Sequence, residues 1–492
     1  MYRKLIIIVA VVAILPAMLF FSCHPERTYV EDSGARLEFT LDTLFFDTVF
    51  TTIGTVTKSF RIKNPHRDFV KIQEVNLAGG GSSVFRVNVD GVPGTSFSGL
   101  EIAPGDSMYV FVEATLEPNN SSEILRIQDS IVFLTNGNTQ DIDLVAWGQD
   151  VHILNEEELS GSVTWTAEKP YLILGFAYVD SVSSLTIEAG ARIYLHRDAL
   201  LFVDGTLHVE GSREEPVLFA GDRLEEFYQD IPGQWGLIYL SELSRENRID
   251  YAEIRNGTIG VLISAPPESG RQPDLEISNT VINYMSSNGI YALNARVDGS
   301  NLVVGQCGGS SAGLIYGGSY RFVHCTFFND FPGYFNRQLP AVLLTDYFGN
   351  YDEQGNLEVF KGGVFERAEF LNSIIYGSSR IELAIDSYDG LQLNYFFDHC
   401  MIKVDEDSLN FSSDPQFGTI INNEAPLFDT LEASSFPVEF LPDSLSPAVD
   451  AGLADYAIGV PFDLDGINRL DDEAPDLGAL ERVKGGGSQE RR

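Results

Sequence analysis

The sequence has few basic residues for its length. Its 492 residues include 32 lysines and arginines against 71 aspartates and glutamates, which gives a net charge of −39 at pH 7. A protein that binds nucleic acid needs a basic stripe to displace the counterions of the phosphates, and the sequence contains none. Nucleic acid is therefore not an expected partner, whereas the acidity favours solubility and attracts cations.

Cysteine is also scarce. The four cysteines are Cys23, Cys307, Cys325 and Cys400. Cys23 ends the leading apolar segment, so an odd number remains, and we expect buried free thiols rather than a disulfide framework. A zinc site made by Cys325 and Cys400 with the histidines that precede them is disfavoured, because adjacent residues of a strand point to opposite faces.

Helical periodicity and catalytic motifs are missing as well. Residues 185–402 contain no helix-length stretch with apolar residues at i, i+3, i+4 and i+7. No glycine-rich phosphate loop followed by lysine occurs, and no Gly-x-Ser-x-Gly nucleophile motif. Carboxylates are abundant, but in so acidic a chain they pair by chance, so the sequence assigns no catalytic residue.

What residues 185–402 do contain is a repeated four-residue phrase. It begins with Asn, His or Tyr, its second residue is usually small or a cysteine, and its fourth is apolar. The first residues of the six copies are Tyr251, Asn279, Asn301, His324, Asn372 and His399. They lie 28, 22, 23, 48 and 27 positions apart, so the step of 48 indicates one coil with an insertion. A period of this length predicts a stacked array.

The segments between the turns are short and rich in β-branched and aromatic residues, which predicts a parallel β-solenoid. Each coil adds a strand about 4.8 Å above the last, so equivalent side chains stack. We expect Asn279, Asn301 and Asn372 to form a hydrogen-bonded ladder in left-handed turns. His324 and His399 share this column, and metal ligation by them is disfavoured because neither has a second ligand at a useful spacing.

Two phrases carry a resemblance to a known fold. Residues 185–190 read Leu-Thr-Ile-Glu-Ala-Gly, and residues 201–212 continue the pattern with a glycine at each corner. This resembles the opening coils of right-handed parallel β-helix proteins of the pectate-lyase-like superfamily. The resemblance implies a β-helix over residues 160–403, with an insertion at 331–363, and it leaves the chemistry open.

The N-terminal segment reads as a secretory signal. Arg3 and Lys4 precede an apolar run that ends before Ser22 and Cys23. This resembles a bacterial lipobox, which implies cleavage after residue 22 and lipid attachment to Cys23. Residues 1–22 are thus an expected signal peptide and residues 23–36 a tether. The lipid would anchor the protein in the cell envelope, by expectation at the outer membrane, with the face of the membrane left open.

Residues 37–150 change to strands that alternate apolar and polar residues, with turns about ten residues apart, which predicts a β-sandwich. The order of its features resembles immunoglobulin-like (Ig-like) domains of the abnormal-spindle/hydin type, which implies a spacer or adhesive module. The predicted fold class is therefore all-β, with an N-terminal Ig-like β-sandwich, a right-handed parallel β-helix and a C-terminal cap.

Residues 404–482 form an acidic segment with three motifs in order. They are Leu-Ser-Pro-Ala-Val-Asp-Ala-Gly at 445–452, Asp-Leu-Asp-Gly-Ile-Asn-Arg at 463–469, and Asp-Leu-Gly-Ala-Leu-Glu at 476–481. They resemble the choice-of-anchor Q region that follows β-helices in bacterial surface proteins, which implies a cap for the open end of the solenoid. Residues 483–492 are an expected disordered tail.

Charged residues of this cap allow two further predictions, a salt-bridge hub and a calcium loop. Arg469 lies among carboxylates and is most simply a salt-bridge hub. Asp463 and Asp465 are similar to the start of a calcium loop, but the later ligands are missing. Two interpretations of Asp463 and Asp465 therefore stay open, a structural turn and a calcium site. Calcium is the one cofactor considered.

The insertion at 331–363 contains the candidate binding residues, since loops that leave a solenoid often bind ligands. They are Tyr334, Asp346, Tyr347, Tyr351 and Asp352. Aromatic rings suit the apolar face of a sugar and carboxylates its hydroxyls; alternatively, the rings only pad the coil. The expected function is an envelope-anchored scaffold that binds a glycan or another envelope protein. The alternative is a polysaccharide lyase or glycoside hydrolase that acts on the β-helix face.

Overall fold

The structure, a computed structural model, describes residues 27–51, 54, 56–118, 124–266, 273–330, 336–351, 357–363, 365–388, 393–405, 409, 411–429, 440–471 and 473–483. The chain divides into two compact units, Met1–Asp150 and Val151–Arg492. No helix in the described ranges is long and apolar enough to cross a membrane. Cys23 lies outside those ranges, so its lipidation stays a prediction.

In the residues that the structure describes, the first unit contains ten strands and one short 3-10 helix at Gly80–Ser82. The strands are β1 (Glu38–Phe39), β2 (Thr43–Phe50), β3 (Lys58–Lys63), β4 (Val70–Leu77), β5 (Phe85–Val89), β6 (Val92–Gly94), β7 (Ser96–Ile102), β8 (Ser107–Ala114), β9 (Leu125–Thr135) and β10 (Asn138–Gln149). They form two five-stranded sheets, in the orders β1-β3-β8-β5-β6 and β2-β10-β9-β4-β7. The pair β2 and β10 is parallel.

The two sheets of this unit share one hydrophobic core, which makes it a sandwich. Along β8, Val110 and Val112 are buried while Tyr109 and Phe111 are exposed, as period-2 alternation requires. Residues from both sheets, such as Val110 and Phe133, belong to the same cluster of buried side chains. The alternation predicted from the sequence therefore specifies the face that each residue takes.

The second unit contains strands β11 to β39 and one short helix. In chain order they are β11 (His152–Leu159), β12 (Ser162–Trp165), β13 (Tyr171–Val179), β14 (Ser184–Glu188), β15 (Arg192–Leu195), β16 (Leu200–Val203), β17 (Thr206–Glu210), β18 (Val217–Gly221), β19 (Trp235–Leu240), β20 (Asn247–Asp250), β21 (Ala252–Arg255), β22 (Gly257–Ser264), β23 (Leu275–Ser278), β24 (Val281–Asn283), β25 (Ile290–Leu293), β26 (Arg296–Ser300), β27 (Val303–Gly305), β28 (Ala312–Ile315), β29 (Gly318–Val323), β30 (Thr326–Asn329), β31 (Val342–Thr345), β32 (Tyr347–Tyr351), β33 (Leu357–Lys361), β34 (Phe365–Leu371), β35 (Ile374–Gly377), β36 (Leu383–Asp386), β37 (Phe396–Asp398), β38 (Cys400–Ile402) and β39 (Ile420–Asn422). The helix is α1 (Ala454–Ala457), and a second 3-10 helix spans Glu226–Tyr228.

These strands stack in three parallel rows, which make a parallel β-helix. Row A is a sheet of nine strands: β12, β14, β17, β20, β23, β26, β29, β34 and β37. The remaining 18-stranded sheet comprises two rows that share the long strands β11 and β13. Row B continues through β15, β18, β21, β24, β27, β30, β35, β38 and β39, and row C through β16, β19, β22, β25, β28, β31 and β36. The β-helix therefore starts at β11, before position 160.

The insertion leaves the stacking intact. Thr326 of β30 pairs directly with Ile374 of β35, so the step of 48 residues is one coil, as predicted. Within the insertion, β32 and β33 form an antiparallel hairpin.

The predicted ladder is confirmed at the turns between rows A and B. Its six residues have φ between 48° and 52°, the left-handed region that asparagine tolerates best. Asn301 Nδ2 donates to Asn279 Oδ1 at 2.9 Å, and Asn372 Nδ2 lies 3.0 Å from His324 Nε2. The column is therefore hydrogen-bonded from Asn279 to Asn301 and from His324 to Asn372.

The core of the β-helix is built from stacked inward residues. Ile254, Ile282 and Val304 occupy one register position in successive coils of row B and are fully buried. Cys307, Cys325 and Cys400 are buried free thiols, as predicted, and burial raises the pKa of each to about 12. They act as small apolar side chains.

The C-terminal segment covers two different surfaces. Phe411 and Phe417 pack against the core at the last coil, which is the closing role that the sequence predicted for a cap. Residues 440–483 instead lie along the side of row B. There Phe440, Leu441 and Leu480 pack on the outward Val303, and another group packs on Ile374 and Met401: Ala448 and Leu477.

The ladder also holds this segment in place. Asn301 Nδ2 donates to Phe462 O at 2.8 Å. Asn372 uses both ends of its amide, because its Oδ1 accepts from Leu453 N at 2.8 Å and its Nδ2 donates to Leu453 O at 3.0 Å. The turn residues of the repeat are therefore the docking points for the C-terminal backbone.

Arg469 is the predicted salt-bridge hub. It is fully buried, and its guanidinium lies 3.2 Å from Glu481 Oε2 and donates to Asn301 Oδ1 at 2.9 Å and to Ala479 O at 3.0 Å. Burial raises the pKa of Asp476 to about 6 and that of Glu481 to about 8. Burial lowers the pKa of Arg469, and the carboxylates of Asp463 and Glu481 oppose this effect.

Candidate functional site

The outward side of row C holds a line of aromatic residues. Because the neighbours of each on its own strand point into the core, these residues point away from it. Strand register aligns them in successive coils, in the order Tyr178, Phe202, Tyr239, Leu262 and Tyr291. We call these five residues the aromatic stripe. Its first and last members are four strand spacings apart, which is about 19 Å.

The first three rings of the stripe are in contact, and all four rings are partly exposed. The Tyr178 and Phe202 ring centroids are 5.5 Å apart, and those of Phe202 and Tyr239 are 4.9 Å apart with an interplanar angle of 79°. Gly313 follows Tyr291 in the column. A Cβ at this glycine would lie 2.9 Å from Tyr291 Cδ2, so only glycine lets that ring lie over the next strand.

Carboxylates surround the Tyr178 end of the stripe. Tyr178 Oη donates to Asp204 Oδ2 at 2.7 Å, and Ser241 Oγ donates to Asp204 Oδ1. The hydrogen bond to Asp204 raises the pKa of Tyr178 to about 12, and the charges of Asp180 and Glu158 act in the same direction. Glu158 is the register partner of Tyr178 on β11. This end is thus an aromatic surface among three acidic side chains.

At the other end of row C lie two residues that the sequence singled out. Tyr347 Oη donates to Asp386 Oδ2 at 2.5 Å, which raises the pKa of Tyr347 to about 12. Its ring is 5.8 Å from that of Tyr388, which is half-exposed. Asp346 is buried and accepts hydrogen bonds from Ser387 Oγ at 2.6 Å and Tyr388 N at 3.0 Å. Tyr347 is therefore placed at the surface, whereas Asp346 fixes the turn beneath it.

The remaining predicted site residues are not brought to this surface by the described geometry. Tyr334 and Asp352 lie outside the described residues, as does the side chain of Tyr351. Asp463 is buried, and its carboxylate accepts from Ile467 N at 2.6 Å and Glu481 N at 2.7 Å. Within the described ranges, no three His, Cys, Asp or Glu side chains are grouped so that they could hold a metal ion. The contacts of Asp463 favour the turn over the calcium site.

Sugar hydrolysis would require a carboxylic acid with a raised pKa beside a second carboxylate. Over the part of the chain that the structure describes, the carboxyl groups whose pKa is raised are Glu253, Asp463, Asp476 and Glu481. Glu253 lies on row B, and the other three belong to the C-terminal segment. These four groups therefore lie away from the stripe.

Sequence reasoning missed the aromatic stripe. The signal was an aromatic residue between two apolar ones, as in Ala-Tyr-Val at 177–179, Leu-Phe-Val at 201–203 and Ile-Tyr-Leu at 238–240. Such a run is equally consistent with a strand buried on both faces, and only the register shows that the middle residues align on one outer surface.

Comparisons with known proteins supply no function. No family model matches the sequence, and no curated protein matches it at a significant level. Among solved structures, the chain is similar to a protein of unknown function from Porphyromonas gingivalis, with 13% identity and a TM-score of 0.18 over 26% of this chain and 51% of that one. It is also similar to a family 123 glycoside hydrolase from Clostridium perfringens, with 9% identity and a TM-score of 0.17 over 24% and 26% of the two chains.

A third similar structure is the catalytic unit of a thermostable GH87 alpha-1,3-glucanase from Streptomyces thermodiastaticus, with 11% identity and a TM-score of 0.18 over 70% of this chain and 79% of that one. The chain spans about half the length of the first of these proteins and about a quarter of the second. Similarity at these TM-scores transfers no activity, so the function has to be argued from the site itself.

Proposed function

We propose that the protein is an envelope-anchored scaffold whose β-helix binds an extended glycan along the aromatic stripe. The observation that carries the proposal is the alignment of four aromatic rings on one outer surface, with spacings that the strand register sets. Aromatic rings contribute a flat apolar area that suits the apolar face of a sugar ring. The tyrosine hydroxyls, and the carboxylates at the Tyr178 end, supply hydrogen-bond partners for sugar hydroxyls.

The anchoring part of the proposal rests on the lipobox-like segment that ends at Cys23. A lipid on this cysteine would hold the folded units at a membrane without a spanning segment. Mass spectrometry of the mature N-terminus tests it: a diacylated or triacylated Cys23 supports anchoring, and an unmodified N-terminus contradicts it.

Glycan binding is tested with a glycan array, followed by calorimetry on the best ligand. Tyr239→Ala removes the central ring and should weaken binding about tenfold, which corresponds to about 1.4 kcal/mol. Tyr109→Ala is the matched control, because Tyr109 is an exposed aromatic residue of the first unit. Equal affinity of the Tyr239 variant and the wild-type protein would contradict the proposal, provided that both are folded by circular dichroism.

The alternative is a polysaccharide lyase or glycoside hydrolase that acts on the same face. Cleavage by either chemistry is tested directly. Incubation of the best ligand with the protein, followed by analysis of chain length and of new unsaturated ends, distinguishes the two functions. A ligand that stays intact supports a scaffold, and cleavage abolished by Asp204→Asn would replace this proposal with an enzyme.

A further inference from the structure

We infer that the glycan held by the aromatic stripe carries free amino groups, and is therefore a cationic chain rather than an acidic one. This inference rests on the proposed function and narrows its ligand class. Two observations support it. The charged groups next to the stripe are negative, and they lie beside partly exposed aromatic rings.

The stripe has carboxylates at its Tyr178 end. Glu158, Asp180 and Asp204 surround Tyr178 closely enough for each to act on its hydroxyl. Among the outward positions of row C that the structure describes, none is occupied by lysine or arginine. A polyanion would therefore meet repulsion at the Tyr178 end of the stripe.

The arginines in the turns that lead from row B to row C each have a carboxylate partner. The pairs are Arg197 with Asp198 at 3.5 Å, Arg223 with Glu225 at 2.9 Å, Arg337 with Glu382 at 2.5 Å and Arg380 with Asp405 at 2.9 Å. These partners reduce the attraction of the four arginines for the carboxylate of an acidic sugar.

Ring faces and carboxylates together match an ammonium group. A cation is attracted to the face of a tyrosine or phenylalanine ring, and a carboxylate accepts a strong, charge-assisted hydrogen bond from it. A sugar with a free amine presents both an apolar face and an ammonium group. Its chain would lie parallel to the axis of the β-helix, because the stripe runs along that axis from coil to coil.

Three probes with graded charge test the inference on the full-length protein. They are a glucosamine oligomer with free amines, the same oligomer fully N-acetylated, and an oligogalacturonate of equal length. We expect the free-amine oligomer to bind about tenfold tighter than its acetylated form. The oligogalacturonate should show no measurable binding. Added salt should weaken only the free-amine complex, since screening acts on charged partners.

The double variant Glu158→Gln, Asp180→Asn removes charge next to Tyr178 without changing a ring. It should bring the affinity for the free-amine oligomer down to that for the acetylated oligomer, which should itself stay unchanged. The matched control is Glu113→Gln with Glu117→Gln, two exposed carboxylates of the first unit. If the control loses as much affinity as the double variant, the attraction reflects only the overall charge of the protein and the inference is wrong.

The three probes separate a failure of the inference about charge from a failure of the proposed function. If the acetylated oligomer or the oligogalacturonate binds as tightly as the free-amine oligomer, and Tyr239→Ala weakens it, glycan binding stands and the inference about charge is overturned. If Tyr239→Ala changes the affinity of none of the three probes, the proposed function itself fails.

Discussion

Replacing Arg469 with methionine tests how the C-terminal segment is held against row B. The fully buried guanidinium contacts Glu481, Asn301 and Ala479 at 2.9 to 3.2 Å. Methionine fills part of the space but leaves the buried carboxylates without their cation. Breaking a buried ion pair by removal of one partner costs about 3 to 5 kcal/mol, and we expect the Arg469→Met variant to lose stability of this size above pH 8, where Glu481 is ionised.

The assay is hydrogen–deuterium exchange of the amides of Leu477 and Glu481. Both donate hydrogen bonds within the docked segment, to Ala448 O and Asp463 Oδ2, so their exchange reports the free energy of its opening. The control is Arg213→Met. Arg213 donates to Asp465 O at 2.9 Å, but its side chain is 51% exposed. We therefore expect a much smaller change in the opening free energy than for Arg469→Met.

The effect of pH follows from the carboxyl groups in the cluster. Burial raises the pKa of Glu481 to about 8 and that of Asp476 to about 6 in the folded state. A raised pKa means that the folded state binds more protons than the open state. The stability that these two groups contribute to docking is therefore fully present below their ordinary pKa values of 3.8 and 4.5, and it is lost as the pH rises through about 6 and about 8. Loss of Arg469 strengthens the trend, because protonation is then the only way to neutralise Glu481.

Two results would refute this reasoning. One is an opening free energy of Arg469→Met within about 1 kcal/mol of the wild-type value, which is the scale of a surface pair. The other is docking that becomes more stable between pH 5 and pH 9. The double variant Arg469→Met, Glu481→Gln should recover part of the loss, because it removes a buried charge that has no partner.

Three further predictions concern the ladder, the thiols and the stripe. Asn279→Ala should lower the stability of the second unit by about 1 to 2 kcal/mol, measured by urea unfolding, because its φ of 48° suits alanine poorly; Asn279→Gly should lose less. Cys307, Cys325 and Cys400 should react with a thiol reagent only in denaturant, since burial raises the pKa of each to about 12; labelling of the folded protein would contradict this. Gly313→Ala should displace the Tyr291 ring, whose Cδ2 would lie 2.9 Å from the new Cβ, and weaken glycan binding at an unchanged melting temperature; unchanged affinity would remove Tyr291 from the site.

The repeat was readable from the sequence because two local rules act at each coil. A left-handed turn selects asparagine, as at Asn279 and Asn301, and alternation places Ile282 and Val304 in the core. The position of the C-terminal segment was only half predictable. Its motifs indicated a cap over the last coil. The burial of outward residues such as Val303 by Leu480 is a long-range contact, and no local pattern encodes it.

The candidate site was harder to predict for a related reason. Tyr347 is predictable as a candidate site residue because it lies in an insertion, and a break in the repeat period reveals that insertion. Tyr178 and Tyr239 lie inside regular coils, where an aromatic residue between two apolar ones is consistent with either face of the strand. Asp346 was chosen with Tyr347 for its charge, but its burial under Tyr388 depends on a contact with a later coil. The function of a solenoid therefore depends on which columns of side chains align on the same outer surface. That alignment depends on strand register, which the sequence of a single coil does not specify.

The three rows also differ in how much of their outer surface stays available. Row B carries apolar outward residues such as Val303 and Met401, and the C-terminal segment covers them. The ladder at the edge of row B provides the polar half of that contact, through Asn301 and Asn372. Row C has an equally apolar column at Tyr178 and Tyr291, yet these residues stay partly exposed. The C-terminal segment shows that this chain can bury an apolar column of row B under its own backbone, and the same kind of contact would also bury a column of row C. The exposure of the stripe is therefore a reason to propose a ligand surface there, and the acidity of the chain is a reason to propose a cationic ligand.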